Sequence, residues 1–471
     1  MQTHLLSTNM AIGLLAFFSI LWVAYGVYLG KKASNLDGFM LAGRNVGLSL
    51  GTATAMATWV TSNTIMLAPK FALQLGVWGM VAYSTASFGL FFFAPMSQRI
   101  RQLIPNGYTS GDFIRVRYGK FTWVLFLIIS MTYSIAWLVS MGMAGGIVLE
   151  ALSGIDYQIG MSVILVVCVL YTLFGGLYAV IGTDFVQSVI ILIGVVVIGT
   201  VVVINTNFTE IYQTIEIERP ALLKVFMPVA LISLFNNMFF GFGEVFHNNV
   251  WWSRAFAMRQ SIVRKAYTLS GFLWLPIPIA AGFIGLCAVV LGVNITDPDM
   301  VGPLVSATIL GKVGAVFVFV VVFCSLASSI DSLMAATADL ITEDIYKKMF
   351  NPSVNNETLR KYNIYIILGL GGLTWFICFL RLSDLIKVLF LSGPLVASMI
   401  FPIVCGLYFK TVNTKGVNFA IVLGSAIGLI CYYQIGWFVA SLASALVSFF
   451  ITLLTTKFFP NSFDWENFKE V

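Results

Sequence analysis

Residues 189–204 of this 471-residue chain read VIILIGVVVIGTVVVI, a run with no charged side chain. A strand of a transmembrane barrel would alternate apolar and polar residues over about ten positions, and this run does not alternate. A helix needs roughly 20 mainly apolar residues to cross about 30 Å of hydrocarbon. The run therefore predicts a membrane-spanning helix.

The composition extends this prediction to the whole chain. Apolar residues make up 59% of it and charged residues only 10%, whereas a soluble globular chain carries roughly 25% charged residues. A water-soluble protein of this composition could not cover its surface with polar groups. These values exclude a cytosolic enzyme, a nucleic-acid binder and a disordered scaffold. They indicate an all-α polytopic membrane protein whose main solvent is the lipid bilayer.

Division of the chain at its charges predicts thirteen transmembrane helices in one membrane domain, residues 1–471. The predicted spans lie near 9–30, 47–68, 76–95, 121–148, 157–179, 185–204, 225–246, 268–292, 313–341, 362–380, 386–408, 416–432 and 435–456. Spans 2, 7 and 11 contain small or polar residues that indicate interruptions.

The basic residues predict the orientation. Loops 31–46, 96–120, 247–267, 342–361 and 409–415, with the tail 457–471, hold 20 Lys and Arg residues, and the opposite set of loops holds six. Cytoplasmic loops are the ones enriched in Lys and Arg. We therefore expect the N-terminus outside, the C-terminus inside and a location in the cytoplasmic membrane. The net charge of +6 follows from the same bias.

Predicted span 2, GLSLGTATAMATWVTSNTIMLAP (47–69), carries more hydroxyl groups than a lipid-facing helix tolerates. One interpretation is a helix interface of small residues, with Ser and Thr bonded to the preceding turn. The other is a helix that unwinds near the midplane and turns its freed carbonyl groups into a cavity.

Predicted span 9 carries a stripe of serines in FCSLASSIDSLMAATADLITEDIYKK (323–348). Ser325, Ser328, Ser329 and Ser332 share one face of a helix, and Asp331 lies beside them. Such stripes are often packing faces, but an intramembrane carboxylate marks an ion path. Hydroxyl and carboxylate oxygens suit a small dehydrated cation such as Na⁺.

Three further stretches are polar within the apolar pattern. In 175–188, Asp184 precedes an apolar run, so it either caps a helix or binds an ion. In 234–252, Asn236 and Asn237 are followed by glycines at 241 and 243, which predicts a second broken helix. LSGPL (391–395) predicts a third break.

The breaks in spans 2 and 7 are five spans apart, which divides the chain into two blocks. Five spans per block make the repeats inverted, and paired interrupted helices are the sequence pointer to a secondary transporter. The predicted division is 1–46 for the first span and inside loop, 47–204 for repeat one (spans 2–6), 225–408 for repeat two (spans 7–11), 416–456 for two peripheral spans and 457–471 for a cytoplasmic tail.

Three motifs carry a family resemblance: AGRNVG (42–47), YTLFGGLYAVIGTDFVQ (171–187) and SSIDSLMAATADLITEDIY (328–346). Together they resemble the sodium/solute symporter family, which has the LeuT-type fold with 5+5 inverted repeats, over roughly residues 35–410. The chain is most similar to the urea/polyamine permease branch, through Thr58-Trp59, YTLFGGL, and GFG-x-VF followed by W-x-R-A in 241–255. Glu244 and His247-Asn248-Asn249 depart from that branch, which usually carries a small residue and then an Asp-Gln pair.

The resemblance implies three sets of site residues. For the main Na⁺ site it implies carbonyl groups of Ala57, Val60 and Ser325 and hydroxyl groups of Ser328 and Ser329. For a second Na⁺ or proton site it implies Asp184, facing Ser328, Asp331 and Ser332. For the solute we expect Trp59, Asn236, Asn237 and Phe240, together with Tyr133 and Trp137.

These expectations combine into a sodium-coupled symporter that imports a small polar solute, such as urea, by alternating access. A proton-coupled symporter of the same fold and a transporter-like membrane sensor are the alternatives. No nucleophile–base pair, zinc motif or phosphate loop points to an enzyme. The expected partners are the solute, co-transported Na⁺ and lipid, with no nucleic acid, and the chain is expected to act as a monomer.

Overall fold

The computed structural model describes residues 6–33, 35–224, 226–292, 298–381 and 385–470. Across these residues the regular structure is helical, and the one β-type pairing is an isolated bridge between Val46 and Met258. The predicted all-α class is therefore confirmed. Residues 1–5 and 471, and residue 225 at the predicted start of repeat two, lie outside the described residues.

Nineteen α-helices can be numbered along the described chain. They are α1 (Thr8–Gly30), α2 (Leu36–Leu41), α3 (Leu48–Trp59), α4 (Ser62–Ser84), α5 (Phe88–Leu103), α6 (Ser110–Ser153), α7 (Tyr157–Asn205), α8 (Phe208–Glu218), α9 (Pro228–His247), α10 (Asn249–Ala257), α11 (Val263–Trp274), α12 (Pro276–Leu291), α13 (Val301–Leu340), α14 (Asn356–Leu380), α15 (Leu385–Leu391), α16 (Gly393–Ala397), α17 (Ile400–Tyr408), α18 (Thr414–Gln434) and α19 (Trp437–Phe458). A π-helical segment, Ile341–Phe350, continues α13.

Eleven helical stretches of the described chain are long and apolar enough to cross a membrane. Four of them bend at glycines with positive φ: Gly76 in α4 (66°), Gly119 in α6 (79°), Gly176 in α7 (52°) and Gly311 in α13 (64°). At Gly76 an added Cβ would also collide with the carbonyl group of Leu222, so this bend requires glycine. The span count and the orientation remain predictions.

The interruption expected in span 2 lies between α3 and α4. Val60 leaves helical geometry (φ −81°, ψ 83°), and Thr61 caps the next helix by accepting a hydrogen bond from the Thr64 amide at 3.2 Å. The Thr61 amide donates to Thr64 Oγ1 at 3.3 Å. In a continuous helix the Thr61 amide would donate to the Ala57 carbonyl. Here it does not, so the Ala57 carbonyl is free to bind another group.

The break expected at Gly241 and Gly243 is wrong, because α9 continues through both residues to His247. An added Cβ would lie 2.7 Å from Ala86 Cα at Gly241 and 2.6 Å from the Val396 carbonyl carbon at Gly243. These glycines therefore permit close helix packing. The helix ends one turn later, where Asn248 accepts a hydrogen bond from the Val250 amide and starts α10.

The capping role considered for Asp184 is also wrong, because Asp184 lies inside α7. The bend that begins the second half of α7 is at Gly176, eight residues earlier. The Thr183 hydroxyl group makes a hydrogen bond within α7, donating to the Val180 carbonyl at 2.9 Å. The interruption expected in LSGPL is present, since α15 ends at Leu391 and α16 begins at Gly393.

Candidate functional site

The break between α3 and α4 contacts the serine stripe of α13. Ser328 Oγ donates to the carbonyl groups of Ala57 and Ser325, both at 3.2 Å, and Ser329 Oγ donates to the Thr58 carbonyl at 3.2 Å. All of these residues are buried, as is Val60. The structure thus brings together two stretches about 270 positions apart, and neither of them faces the lipid.

These groups offer only oxygen atoms. Ser325 Oγ already donates to the Val321 carbonyl at 2.8 Å, so the carbonyl of Ser325 is its remaining contribution. Within the described residues, no group of three His, Cys, Asp or Glu side chains is placed to hold a metal ion. Carbonyl and hydroxyl oxygens favour a hard cation over a transition metal.

The second predicted set, Asp184, Asp331 and Ser332, is buried next to the first. Asp184 Oδ2 accepts a hydrogen bond from Thr54 Oγ1 at 2.5 Å and lies 3.5 Å from Ser332 Oγ. Asp331 Oδ1 accepts a hydrogen bond from the amide of Ser332, and its Oδ2 has no hydrogen-bond partner among the described residues.

Arg254 of α10 occupies the position between these groups where a second cation was expected. Its Nη2 atom lies 3.1 Å from Asp184 Oδ2 and 2.6 Å from Ser332 Oγ, and its Nε atom lies 3.0 Å from Thr54 Oγ1. Its side chain is fully buried. Asp184, Asp331 and Arg254 together carry one formal negative charge beside the oxygen-lined site.

Sequence reasoning missed Arg254 because it counted this residue among the charges of an inside loop. The available signal was its context: Trp251 and Trp252 precede it, and Ala255, Phe256 and Ala257 follow it. A basic residue within a mainly apolar, aromatic-rich segment is more typical of a buried ion pair than of a solvated loop.

A small cavity of about 30 Å³ lies beside the same break. Its lining residues are Trp59, Thr61, Asn63, Tyr83, Ala86, Trp137, Asn237, Phe240, Trp274, Leu389 and Phe390. None of them carries a charged side chain. Four of the six expected solute residues, namely Trp59, Trp137, Asn237 and Phe240, line this cavity.

Four polar atoms of the cavity lining have no hydrogen-bond partner among the described residues. Three are donors, the indole N–H groups of Trp59 and Trp137 and the amide nitrogen of Asn237. The fourth is Asn63 Oδ1, an acceptor, because the Asn63 amide nitrogen donates to Ser140 Oγ at 3.1 Å. Sequence reasoning did not select Asn63, although its position among the hydroxyl groups of span 2 was the available signal.

The other two expected solute residues lie elsewhere. Asn236 Oδ1 accepts hydrogen bonds from the amides of Ser441 and Leu442, and its amide nitrogen donates to the Trp437 carbonyl at 3.1 Å. The Asn236 side chain therefore joins α9 to the first turns of α19 through three hydrogen bonds. Tyr133 lies one aromatic layer behind the cavity, with its ring centroid 5.3 Å from that of Trp137.

Trp59 connects the two parts of the site. It is the last residue of α3, beside the carbonyl groups that Ser328 and Ser329 contact, and its indole lines the cavity. Its carbonyl accepts a hydrogen bond from Trp274 Nε1 at 2.7 Å. A movement of the break therefore changes the oxygen-lined site and the cavity together.

Comparisons with known proteins agree with this architecture. The model of the "Sodium:solute symporter family" matches residues 39–424. The "Urea active transporter" of Saccharomyces cerevisiae is 24% identical over 94% of this chain and 67% of its own length. The "Urea-proton symporter DUR3" of Oryza sativa subsp. japonica is 25% identical over 91% of this chain and 65% of its own length. The chain thus spans about two thirds of the length of these two relatives.

Among solved structures, a Na⁺-coupled sialic acid symporter in a substrate-bound, outward-open state has the same fold. The TM-score is 0.80 at 17% identity, covering 96% of this chain and 99% of the other. The expected LeuT-type fold is confirmed. The family match covers more than half of the chain, and the matched family and relatives are transporters rather than enzymes. The chain therefore belongs to the sodium:solute symporter family, whose co-transported ion is Na⁺.

Proposed function

We propose that this protein is a sodium-coupled symporter of the cytoplasmic membrane that imports a small, neutral or zwitterionic polar solute by alternating access. One observation carries the proposal: the α3–α4 break meets the hydroxyl groups of Ser328 and Ser329, while Trp59 of the same break lines the cavity. An ion and a solute bound to these two places would act on a single segment.

The proposed Na⁺ ligands are the carbonyl groups of Ala57, Val60 and Ser325 and the hydroxyl groups of Ser328 and Ser329. In this structure the two hydroxyl groups donate to carbonyl oxygens, so Na⁺ binding would turn their lone pairs toward the ion. The bound ion would tie α3 to α13, and its release inside would free the break to move. A potential of 100 mV contributes about 2.3 kcal/mol per transported charge.

We propose a single Na⁺ per cycle, with Arg254 as a fixed cation in place of a second ion. A guanidinium group 3.1 Å from Asp184 already compensates that carboxylate. Asp331 has no Lys or Arg nitrogen within 4 Å among the described residues, so one Na⁺ bound beside it would compensate its carboxylate. A second Na⁺ would leave an excess positive charge in a buried site, which is costly.

The unpartnered atoms of the cavity favour an amide-like solute such as urea. Three free donors suit a carbonyl oxygen, and Asn63 Oδ1 suits an N–H group. An organic anion would be buried without a cation among the lining residues, at a cost of several kcal/mol. The name of the yeast relative, a urea active transporter, supports the same solute class.

The test is uptake of labelled urea into proteoliposomes of the purified protein. An inward Na⁺ gradient should raise initial uptake about ten-fold or more over an equal K⁺ gradient, because 100 mV or a ten-fold gradient each supply more than 1.3 kcal/mol per ion. Uptake driven by a pH gradient without Na⁺ would favour the proton-coupled alternative. Binding of urea without accumulation would favour a sensor.

Ser329→Ala tests the ion site. Loss of one hydroxyl ligand should raise the Na⁺ concentration for half-maximal uptake about ten-fold, equivalent to about 1.4 kcal/mol. Ser325→Ala is the matched control, because the Ser325 hydroxyl is bonded within α13 and only its carbonyl is a proposed ligand. Equal effects of the two variants, or normal Na⁺ dependence of Ser329→Ala, would contradict the assignment.

A further inference from the structure

Glu244 is a buried carboxyl group that the proposed sodium and solute sites do not use. It lies on α9, one helical turn after Phe240 of the cavity lining, and it is fully buried. Its Oε1 atom accepts a hydrogen bond from Trp251 Nε1 at 3.0 Å, and its Oε2 atom has no hydrogen-bond partner among the described residues. Trp251 packs edge-on against Trp59 of the cavity at 5.1 Å.

Glu244 has no cation to compensate it. Several other buried acids are paired, Asp184 with Arg254, and Asp112 and Asp344 with Lys348. Asp331 and Asp339 are also buried and, like Glu244, have no Lys or Arg nitrogen within 4 Å among the described residues. Within the described part of the chain, no Lys or Arg nitrogen lies within 4 Å of Glu244. Burial of a carboxylate without a cation costs several kcal/mol. The neutral, protonated carboxyl avoids this cost.

The titratable groups that face Glu244 are also neutral in this arrangement. His247, on the same helix, has Nδ1 2.7 Å from the Gly243 carbonyl, which can only accept, so we assign the ring proton to Nδ1. His247 Nε2 then has a free lone pair and no partner. The hydroxyl group of Tyr133 of α6 lies beside the Glu244 carboxyl group, and Tyr83 of α4 is the remaining titratable neighbour.

We propose that Glu244 is a proton-binding site and that one proton enters the cell with each solute molecule. The proton binds to Glu244 Oε2 while the solute cavity is open to the outside. When the junction of α9 and α10 at Asn248 opens to the cytoplasm, the O–H bond breaks and water takes the proton. The remaining carboxylate keeps its hydrogen bond from Trp251. This site rests on the proposed alternating-access function and adds a second coupled ion to it.

Two features place this site in the transport cycle. Glu244 lies between the cavity and the helix break at Asn248, so a movement of that break changes its access to water. It is also on a different helix from Asp184 of α7 and Asp331 of α13. A proton bound to Glu244 is therefore distinct from the Na⁺ proposed at Ser328 and Ser329.

The first measurement requires no solute. Infrared spectra of the wild-type protein and of Glu244→Gln in lipid at neutral pH should differ by one C=O band of a neutral carboxyl group. That band should be present in the wild type and absent from the variant. Identical spectra in this region would show that Glu244 is ionised and would overturn the proposal.

The second measurement follows a pH dye trapped in proteoliposomes during Na⁺-driven urea uptake. The wild type should acidify the lumen, and Glu244→Gln should retain urea exchange while losing about nine tenths of the acidification, because an amide cannot exchange a proton at this pH. Asp339→Asn is the matched control. Asp339 is another buried acid, bonded to the amide of Asn363, and its variant should acidify normally.

Three results would overturn the proton site: urea uptake by the wild type without acidification, normal acidification by Glu244→Gln, or loss of acidification in Asp339→Asn alone. Absence of urea uptake by the wild type would instead count against the proposed function. The infrared measurement still decides the protonation of Glu244 in that case.

Discussion

Arg254→Met is expected to abolish urea uptake and to lower the melting temperature of the protein. The substitution keeps a long apolar side chain but leaves Asp184 buried without its cation, and it removes the donors to Thr54 and Ser332. Removal of one partner of a buried ion pair costs about 3–5 kcal/mol. We expect uptake at least about 100-fold below the wild type, which corresponds to roughly 2.7 kcal/mol.

The double variant Asp184→Asn with Arg254→Met is the control for this prediction. It removes the charge together with its partner, and replacement of both members of a buried pair is far less costly than loss of one. The double variant should therefore recover most of the lost melting temperature. A double variant no more stable than Arg254→Met would show that Arg254 does not act by compensating Asp184.

Asn237→Leu is expected to raise the urea concentration for half-maximal uptake by at least about 30-fold, equivalent to roughly 2 kcal/mol. The variant removes one of the three free donors of the cavity and fills part of its space with a branched apolar group. A solute carbonyl that faced this donor would be desolvated without a hydrogen bond. Concentration-dependent uptake with the Na⁺ gradient held constant measures the effect.

Phe235→Leu provides the matched control on the same helix. Phe235 is 48% exposed, lies away from the cavity lining and is expected to contact lipid. Its substitution should leave the half-saturating urea concentration unchanged. If Asn237→Leu transported urea with wild-type affinity, Asn237 would not contact the solute, and the proposed position of the solute in this cavity would be wrong.

The proposed coupling between Na⁺ and solute depends on the short stretch of chain that joins the two binding sites. Trp59 and Val60 are neighbours in the chain, and one contributes to the cavity while the other is a proposed Na⁺ ligand. Because the chain here is not helical, its dihedral angles can change without breaking a complete ladder of backbone hydrogen bonds. This local property is what alternating access requires of a hinge.

The sequence by itself determined the features that depend on local physics. Long apolar runs, such as 189–204, require membrane-spanning helices whatever their neighbours are. The hydroxyl-rich segment near Thr61 interrupts its helix because its side chains cap backbone amides a few residues away. The serine stripe at 325–332 was also predictable from local geometry, because the period of an α-helix alone determines which residues share a face.

Only the tertiary structure decided which distant residues meet. Arg254 and Asp184 are 70 positions apart, and their ion pair exists because α10 packs against α3 and α13, which both pack against α7. The role of Asn236 depends on the start of α19, about 205 positions away. The same holds for Gly241, which permits close packing against Ala86 instead of breaking α9. Periodicity and capping act within one helix, whereas ion pairing and close packing depend on which helices become neighbours.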